Sequence, residues 1–423
     1  MSERFKKTVL ENGIRVVSEM HPQSRAASLG IWVLSGTRDE VPEEAGISHL
    51  LEHLVFKKTK NRSAFQIAKS LEELGGELNA FTTREYTCYH AYVLKDHWRL
   101  ALDVLSDLVA NMDLVKSDFE LERSVVMQEI AMSEDSQEEM IYDLYFDHAY
   151  GKHPLGRSIL GSLQSLKAMT MKRVRDRYQS HYSGPNLIVS ATGDLQHQDL
   201  VDEVQRLLRK KKKTRFALKR SPPKHQAIRI AIEKPGEQLH LLMGLPVSSF
   251  RDKYRFEAFI VNALLGGGMT SKLYQQVREK KGLAYSIYSQ LNTFMDTGLL
   301  TIYGACEPKN MRAMMRTIRQ QVLALKKNGV RASDIEIFKT QVKGSLLLGS
   351  DDIENRMNSI AVNELVFGQY RSVESITEEI DAVSAKSVNA FMQDYFHPQK
   401  MGIMLLGAGA SDLKEELENE RFV

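Results

Sequence analysis

The chain is short of cysteine and of long apolar runs, and each shortage excludes something. Cys88 and Cys306 are its two cysteines in 423 residues, far apart and outside any Cys-x-x-Cys pair. They build no disulfide framework, which suits a reducing compartment. No stretch approaches ~18 uninterrupted apolar residues, so no segment is expected to span a membrane. The opening stretch, residues 1–17, shows no apolar signal region and no small-residue cleavage site, so the expected location is the cytoplasm. An excess of one charge is missing too. Lys and Arg number 57 against 54 Asp and Glu, a formal net charge of +3. That balance gives no global case for nucleic-acid binding.

The length and the 43% hydrophobic content allow two or more domains with buried cores. One segment differs in composition. Arg209–Arg215 is a basic run, and Lys219-Arg220-Ser221-Pro222-Pro223-Lys224 follows it. Charges followed by a proline pair read as an exposed linker, without the aromatic interleaving of a nucleic-acid patch. The expected organisation is residues 1–208, a linker 209–225, and residues 226–423.

The two halves resemble each other. Ser117-Asp118-Phe119-Glu120-Leu121 recurs as Ser333-Asp334-Ile335-Glu336-Ile337, an offset of 216. Tyr182-Ser183-Gly184-Pro185 recurs as Tyr395-Phe396-His397-Pro398, an offset of 213, and each precedes an apolar run ending in Gly193 or Gly407. A near-constant offset across separate landmarks points to duplication. Residues 27–34 and 88–94 are predicted strands; 98–112 and 119–132 are predicted helices. The predicted fold is α+β, each half a sheet covered on one face by helices.

The chemistry centres on His49-Leu50-Leu51-Glu52-His53. Pro42-Glu43-Glu44 ahead of it suits a helix start. On a helix, His49 and His53 share a face and can bind one metal ion. Glu52 sits beside them, able to reach a metal-bound water without being a ligand. This is the H-x-x-E-H arrangement, and neutral imidazoles suit zinc. Leaving three ionisable groups unpartnered among Leu50, Leu51, Leu54, Val55 and Phe56 would be costly.

With these residues in place the chain resembles the M16 (pitrilysin) peptidases, in the branch of the mitochondrial processing peptidase beta subunit and its short bacterial relatives. The resemblance covers essentially the whole chain. It implies two duplicated halves, each a largely antiparallel or mixed sheet covered by helices, facing each other as a clamshell. It also implies a third zinc ligand on a downstream helix carrying a second glutamate. Glu129 lies 76 residues after His53, and Glu122 seven before Glu129. Seven residues is two helical turns, so the two carboxylates face one way. By the resemblance, Glu129 binds one zinc ion per chain and Glu122 orients a histidine or the water.

The second half has lost the ligands. Aligned on the repeat, His53 falls near Gly266, Glu129 at Ser345 and Glu122 at Phe338. In the resembling family this half instead supplies an arginine and a tyrosine, here Arg278 and Tyr285, as donors to a developing oxyanion. The triplet Gly266–Gly268 lacks the Lys-Ser/Thr ending of a phosphate loop. The stretch holding Asn79, Ala80 and Phe81 resembles the family's edge strand, and substrate contacts are expected there, because a strand edge can take up an extended peptide. By the resemblance, Glu139 and Asp143 meet a basic residue near the scissile bond, which a pair of carboxylates suits. His90 reads as a packed strand residue. His148 and His153 lack an evident third ligand.

The resulting expectation is a zinc-dependent endopeptidase of the processing type, acting on extended peptides within a cavity, with Glu52 as general base. Since this chain carries both the metal half and the Arg/Tyr half, a homodimer is the expected assembly. The rival reading is a non-catalytic scaffold, partner subunit or metal-binding regulator on the same fold. Such a protein has no need of Glu52 beside two histidines.

Overall fold

Alternation of side chains sets the strands. In β3 (Ala26–Val33) Ala27, Leu29, Ile31 and Val33 all enter one core, as period-two geometry requires. The intervening Ser28, Gly30 and Trp32 are buried as well, so the strand has no solvent face. The computed structural model describes residues 4–214 and 216–419. Residues 1–3 of the opening stretch and Arg215 of the basic run lie outside the described residues.

The chain divides into two compact units. One comprises Met1–Met132, Arg157–Arg220 and Leu348–Ser372, the other Ser133–Gly156, Ser221–Leu347 and Val373–Val423. The first holds β1 (Phe5–Val9), β2 (Arg15–Met20), β3, β4 (Glu77–Thr82), β5 (Thr87–Leu94) and β6 (Leu187–Gly193), in the order β1-β2-β6-β3-β5-β4. The second holds β7 (Arg229–Ile232), β8 (Leu239–Val247), β9 (Ser286–Thr293), β10 (Gly298–Cys306) and β11 (Gly402–Gly407), in the order β7-β11-β8-β10-β9. Both sheets are mixed. β2 pairs β6 in parallel, β7 pairs β11 in parallel, and the remaining pairs are antiparallel. From β2 and β7 onward the two orders are the same, so the fold is duplicated as the repeat implied. The repeat landmarks also coincide: Ser117 and Ser333 each open a long helix, Lys116–Asp135 and Ala332–Ser350.

The reading of helices on one face only needs correction. In the first unit the Trp98–Asn111 and His197–Leu208 helices bury apolar residues in the same core as Leu29 and Ile31. The opposite parity is also covered, by the Ile353–Phe367 helix. The Thr192 hydroxyl donates to the Ile353 carbonyl, and a side chain at Gly30 would run into Met357. In the second unit the Gln137–Tyr150 helix plays the matching part. Ile141, Tyr145, Phe146 and Ala149 pack with Leu242, Tyr303 and Met404, and the Tyr145 hydroxyl donates to the Gly244 carbonyl at 3.0 Å. Each half in sequence thus lends one helix to the other's sheet. The compact units therefore cut across the boundaries 1–208 and 226–423.

Polar contacts fix the lent helix. Arg356, 3% exposed, pairs with Glu19, 6% exposed. Tyr370 donates to the same carboxylate at 3.1 Å, and His21 lies 3.0 Å from it. Burial pushes the Glu19 carboxyl up, but His21, Arg356 and Tyr370 outweigh it and hold it down at about 2. Arg356→Met leaves a buried carboxylate without its cation and should cost about 3–5 kcal/mol at neutral pH. The wild-type group has a depressed folded pKa, so its contribution is full above the unfolded value of 4.5 and fades as pH falls toward about 2. Urea melts of both proteins at pH 7 and pH 3 check this. The gap between them should narrow at pH 3, and an equal gap would mean that Glu19 is not the group responsible.

The basic segment forms neither helix nor strand over Lys212–Thr214 and residues 216–228, but two of its cations are not in solvent. Lys211 donates to the Val109 carbonyl at 2.7 Å, and its ammonium lies over the rings of Tyr178 and Tyr182. Burial pushes the amine down to about 7. Arg220 grips Asp39 through two nitrogens, at 2.9 and 2.6 Å. A run of like charges reads as solvated because the tyrosines and carboxylates that receive it lie elsewhere in sequence.

Candidate metal centre

The Ile47–Val55 helix begins at Gly46, whose φ of +89° is left-handed. A side chain there would be strained and would also meet the Leu160 carbonyl. Ile47, Leu50, Leu51, Leu54 and Val55 enter the core. This turns His49 and His53 to the other side, with ring centroids 4.7 Å apart. The Lys116–Asp135 helix buries Phe119, Glu122, Val126 and Ile130. That seating carries Glu129 to the histidines. Its oxygens lie 3.8 Å from His49 Nε2 and 3.6 Å from His53 Nε2.

One donor atom from each of His49, His53 and Glu129 falls within 4.8 Å of the others, a group that could hold a metal ion. Three donors at ~2.1 Å from a tetrahedral ion stand about 3.4 Å apart. The Glu129–histidine separations of 3.8 and 3.6 Å come close to that spacing, and two imidazoles with one carboxylate are a donor set that suits zinc. Glu122 supports the set: His53 Nδ1 lies 3.0 Å from its Oε2. With Nδ1–H donated to this carboxylate, Nε2 is left as the lone-pair nitrogen facing Glu129. Lys57 Nζ lies 2.8 Å from the other Glu122 oxygen. Burial, and next the nearby His53, hold His49 down at about 4, so its ring is neutral at neutral pH.

Glu52 accepts a hydrogen bond from the Thr82 hydroxyl at 2.5 Å. Burial raises its carboxyl; the Thr82 bond and the charge of His53 work against that, and Glu129 works with it. Asn79, Ala80 and Phe81 lie on β4, the last strand of its sheet, paired with β5 alone. Phe81 stands edge-on to Trp32, and Asn79 Oδ1 accepts the Ala80 N–H at 2.8 Å.

The remaining expected residues fall in the second unit. Arg278 belongs to a π-helical turn, Tyr274–Glu279. Its guanidinium lies 4.6 Å over the Tyr285 ring and 4.9 Å over that of Tyr274. The structure thus brings Arg278 and Tyr285 together, with Tyr285 77% exposed. Glu139 and Asp143 stand one turn apart on the Gln137–Tyr150 helix. Phe338 and Ser345, at the positions equivalent to Glu122 and Glu129, lie on the Ala332–Ser350 helix.

Sequence reasoning missed Thr82, Lys57 and the buried Glu40, which bonds the amides that open the metal helix. Thr82 could have been found, because it ends the strand already singled out. Nothing local marks Lys57 or Glu40.

Comparison with known proteins agrees with this architecture. The profile of insulinase (peptidase family M16) matches residues 15–163, and that of the peptidase M16 inactive domain matches residues 168–342. An uncharacterized zinc protease of Mycobacterium leprae is 36% identical over 96% of this chain and 92% of its own length. The uncharacterized zinc protease YmxG of Bacillus subtilis is 34% identical over 93% and 96%. Among solved structures, a protease from Helicobacter pylori superposes with a TM-score of 0.89 at 22% identity, covering 95% of this chain and 99% of that one. A peptidase M16 inactive domain from Pseudomonas fluorescens gives 0.89 at 17% identity, over 96% and 98%. At such identities the two structures speak for the fold. The curated relatives match at higher identity along nearly the whole sequence, and on that ground the chain belongs to peptidase family M16.

Proposed function

We propose that this chain is a zinc-dependent endopeptidase of the processing type that cuts extended peptides or unfolded segments. The observation that carries the reading is the convergence of His49, His53 and Glu129 within 4.8 Å, with Glu52 on the same helix. Bound zinc supplies Lewis acidity, which acidifies water and polarises the scissile carbonyl. Glu52 takes the proton of the attacking water on its carboxylate and returns it to the leaving nitrogen. The Thr82 hydroxyl steadies that carboxylate. Glu122 fixes the His53 ring through Nδ1. Arg278 and Tyr285 are donors for the developing oxyanion. The free edge of β4, through Asn79, Ala80 and Phe81, takes up the peptide backbone as an added strand. A homodimer in the cytoplasm remains our reading of assembly and place. Both cysteines are free thiols, and no helix of the described residues is long and apolar enough to cross a membrane.

The test is metal quantification together with cleavage of a mixed peptide library. One zinc per chain, with hydrolysis lost to a chelator and restored by zinc, is the expected result. Zinc binding without hydrolysis of any peptide would move the protein to the metal-binding regulator reading.

Specificity is expected to come from Glu139 and Asp143. A hydrogen bond to a charged partner contributes about 1.5–3 kcal/mol. If it is made in the transition state, Arg should be preferred over norleucine by roughly ten- to a hundredfold in kcat/KM. Glu139→Gln with Asp143→Asn should flatten that ratio and leave cleavage of neutral peptides nearly intact. An unchanged ratio would assign both acids to the ordinary surface.

A further inference from the structure

The helix that presents His49, Glu52 and His53 has no side-chain cap of its own: its N-cap is Gly46. An uncapped first turn frays, because its leading N–H groups have no partner within the helix. His49 is the third helical residue and sits in that turn. Any fraying would therefore disturb one ligand before it touches the other.

The missing cap arrives from upstream. Glu40, 3% exposed, accepts the Gly46 N–H at 2.9 Å on one oxygen and the Ser48 N–H at 2.8 Å on the other. Glu40 and its neighbour Asp39 are held from three distant points. Arg157 donates to its carbonyl. Arg177 donates to the Asp39 carbonyl at 2.8 Å and to the Ser35 hydroxyl at 3.0 Å. Arg220, from the basic segment, grips the Asp39 carboxylate with two nitrogens and donates to the Glu85 carbonyl. The Ser165 hydroxyl ties the Ala45 carbonyl at 2.8 Å. A loop this heavily anchored is more than a connection between a strand and a helix.

We infer that Glu40 is a positioning residue of the metal centre, its carboxylate replacing the absent cap and fixing the turn that carries His49, with Arg220 holding the loop that presents it. The inference rests on the reading of His49, His53 and Glu129 as metal ligands. Neither residue belongs to the donor group of His49, His53 and Glu129. Their effect passes through the backbone of the first turn, where a site must be held to within ~0.5 Å to keep its geometry.

The experiment compares wild type, Glu40→Gln and Arg220→Met in the full chain. Two quantities are read at pH 8 and low temperature: amide hydrogen exchange over residues 46–56 in metal-free protein, and zinc affinity by chelator competition. Gln keeps the shape, but its single oxygen can receive one of the two N–H groups. For Glu40→Gln, exchange in the first turn should quicken and zinc Kd should weaken by about tenfold, the scale of a lost cap. Arg220→Met should move both quantities the same way by a smaller factor, and it carries the test if Glu40→Gln does not fold. Faster exchange with unchanged zinc affinity would make Glu40 a helix cap and nothing more, which overturns the inference. Unchanged exchange overturns it too. Failure of the metal reading shows separately, as wild-type protein that binds no zinc.

Discussion

Glu52→Gln should keep zinc at the wild-type stoichiometry and lose turnover by roughly a hundredfold to ten-thousandfold, the range attributed to a positioned general base. The two halves of this result come from different atoms. The donors within 4.8 Å are His49, His53 and Glu129, so nothing in that set changes. The carboxylate that goes is the one bonded to Thr82 at 2.5 Å. Glutamine can still accept that bond, so its side chain should stay in place. What it lacks is basicity, and the fall should therefore appear in kcat with KM nearly constant. His49→Ala is the contrast: it should lose zinc on dialysis, because two donors remain where three met. Metal analysis and steady-state kinetics on both variants decide the assignment. A Glu52→Gln enzyme that cleaves at the wild-type rate would remove Glu52 from the mechanism, whatever the metal content.

Features that depend on short range were legible in the sequence. Spacings of four from His49 to His53, and of seven from Glu122 to Glu129, are helical periods, and the structure puts both pairs on helices. The strands Ala26–Val33 and Thr87–Leu94 appear within a residue of where alternation placed them. Meeting of the two metal-site helices was legible only through the family resemblance, because no period links residues 76 apart. Features that depend on a partner far away in sequence were not legible. Ile353–Phe367 buries Arg356, Asn363 and Glu364 alongside Met357 and Ile360, so its pattern resembles that of a surface helix. Its polar residues are buried because Glu19, Lys7 and Arg15 wait on the other side of the contact. Lys211 and Arg220 were misplaced for the same reason. Glu40 was invisible because its cap spans a loop whose path no local rule predicts.

A fragment ending at Leu208 should fail to fold, and this changes what separating the halves can reveal. The simple expectation is that residues 1–208 hold the metal and lack only Arg278 and Tyr285. The structure adds a larger loss. That fragment has no Ile353–Phe367 helix, so the face of β2, β3 and β6 that receives it would meet water. Met357, Ile360 and Ala361 of the helix are at most 1% exposed. Each large apolar side chain uncovered forfeits roughly 1.5–3 kcal/mol, and the strand face beneath forfeits a similar amount. The Lys7 and Arg15 contacts to Glu364 and the Arg356–Glu19 pair go as well. The sum is comparable to the ~5–15 kcal/mol that holds a typical domain together. Circular dichroism and urea melts of residues 1–208 should therefore show no cooperative transition. A chain of residues 1–132, 157–220 and 348–372 joined by flexible linkers, the whole of the first unit, should show one, and should bind zinc. A well-folded 1–208 fragment would mean that the lent helix is dispensable. The joined chain then answers the catalytic question cleanly, since it holds the proposed metal ligands and Glu52 but neither Arg278 nor Tyr285. It is expected to bind zinc and not cleave peptides. Wild-type cleavage by that chain would show that the first unit is a complete peptidase and that the second contributes nothing to the chemistry.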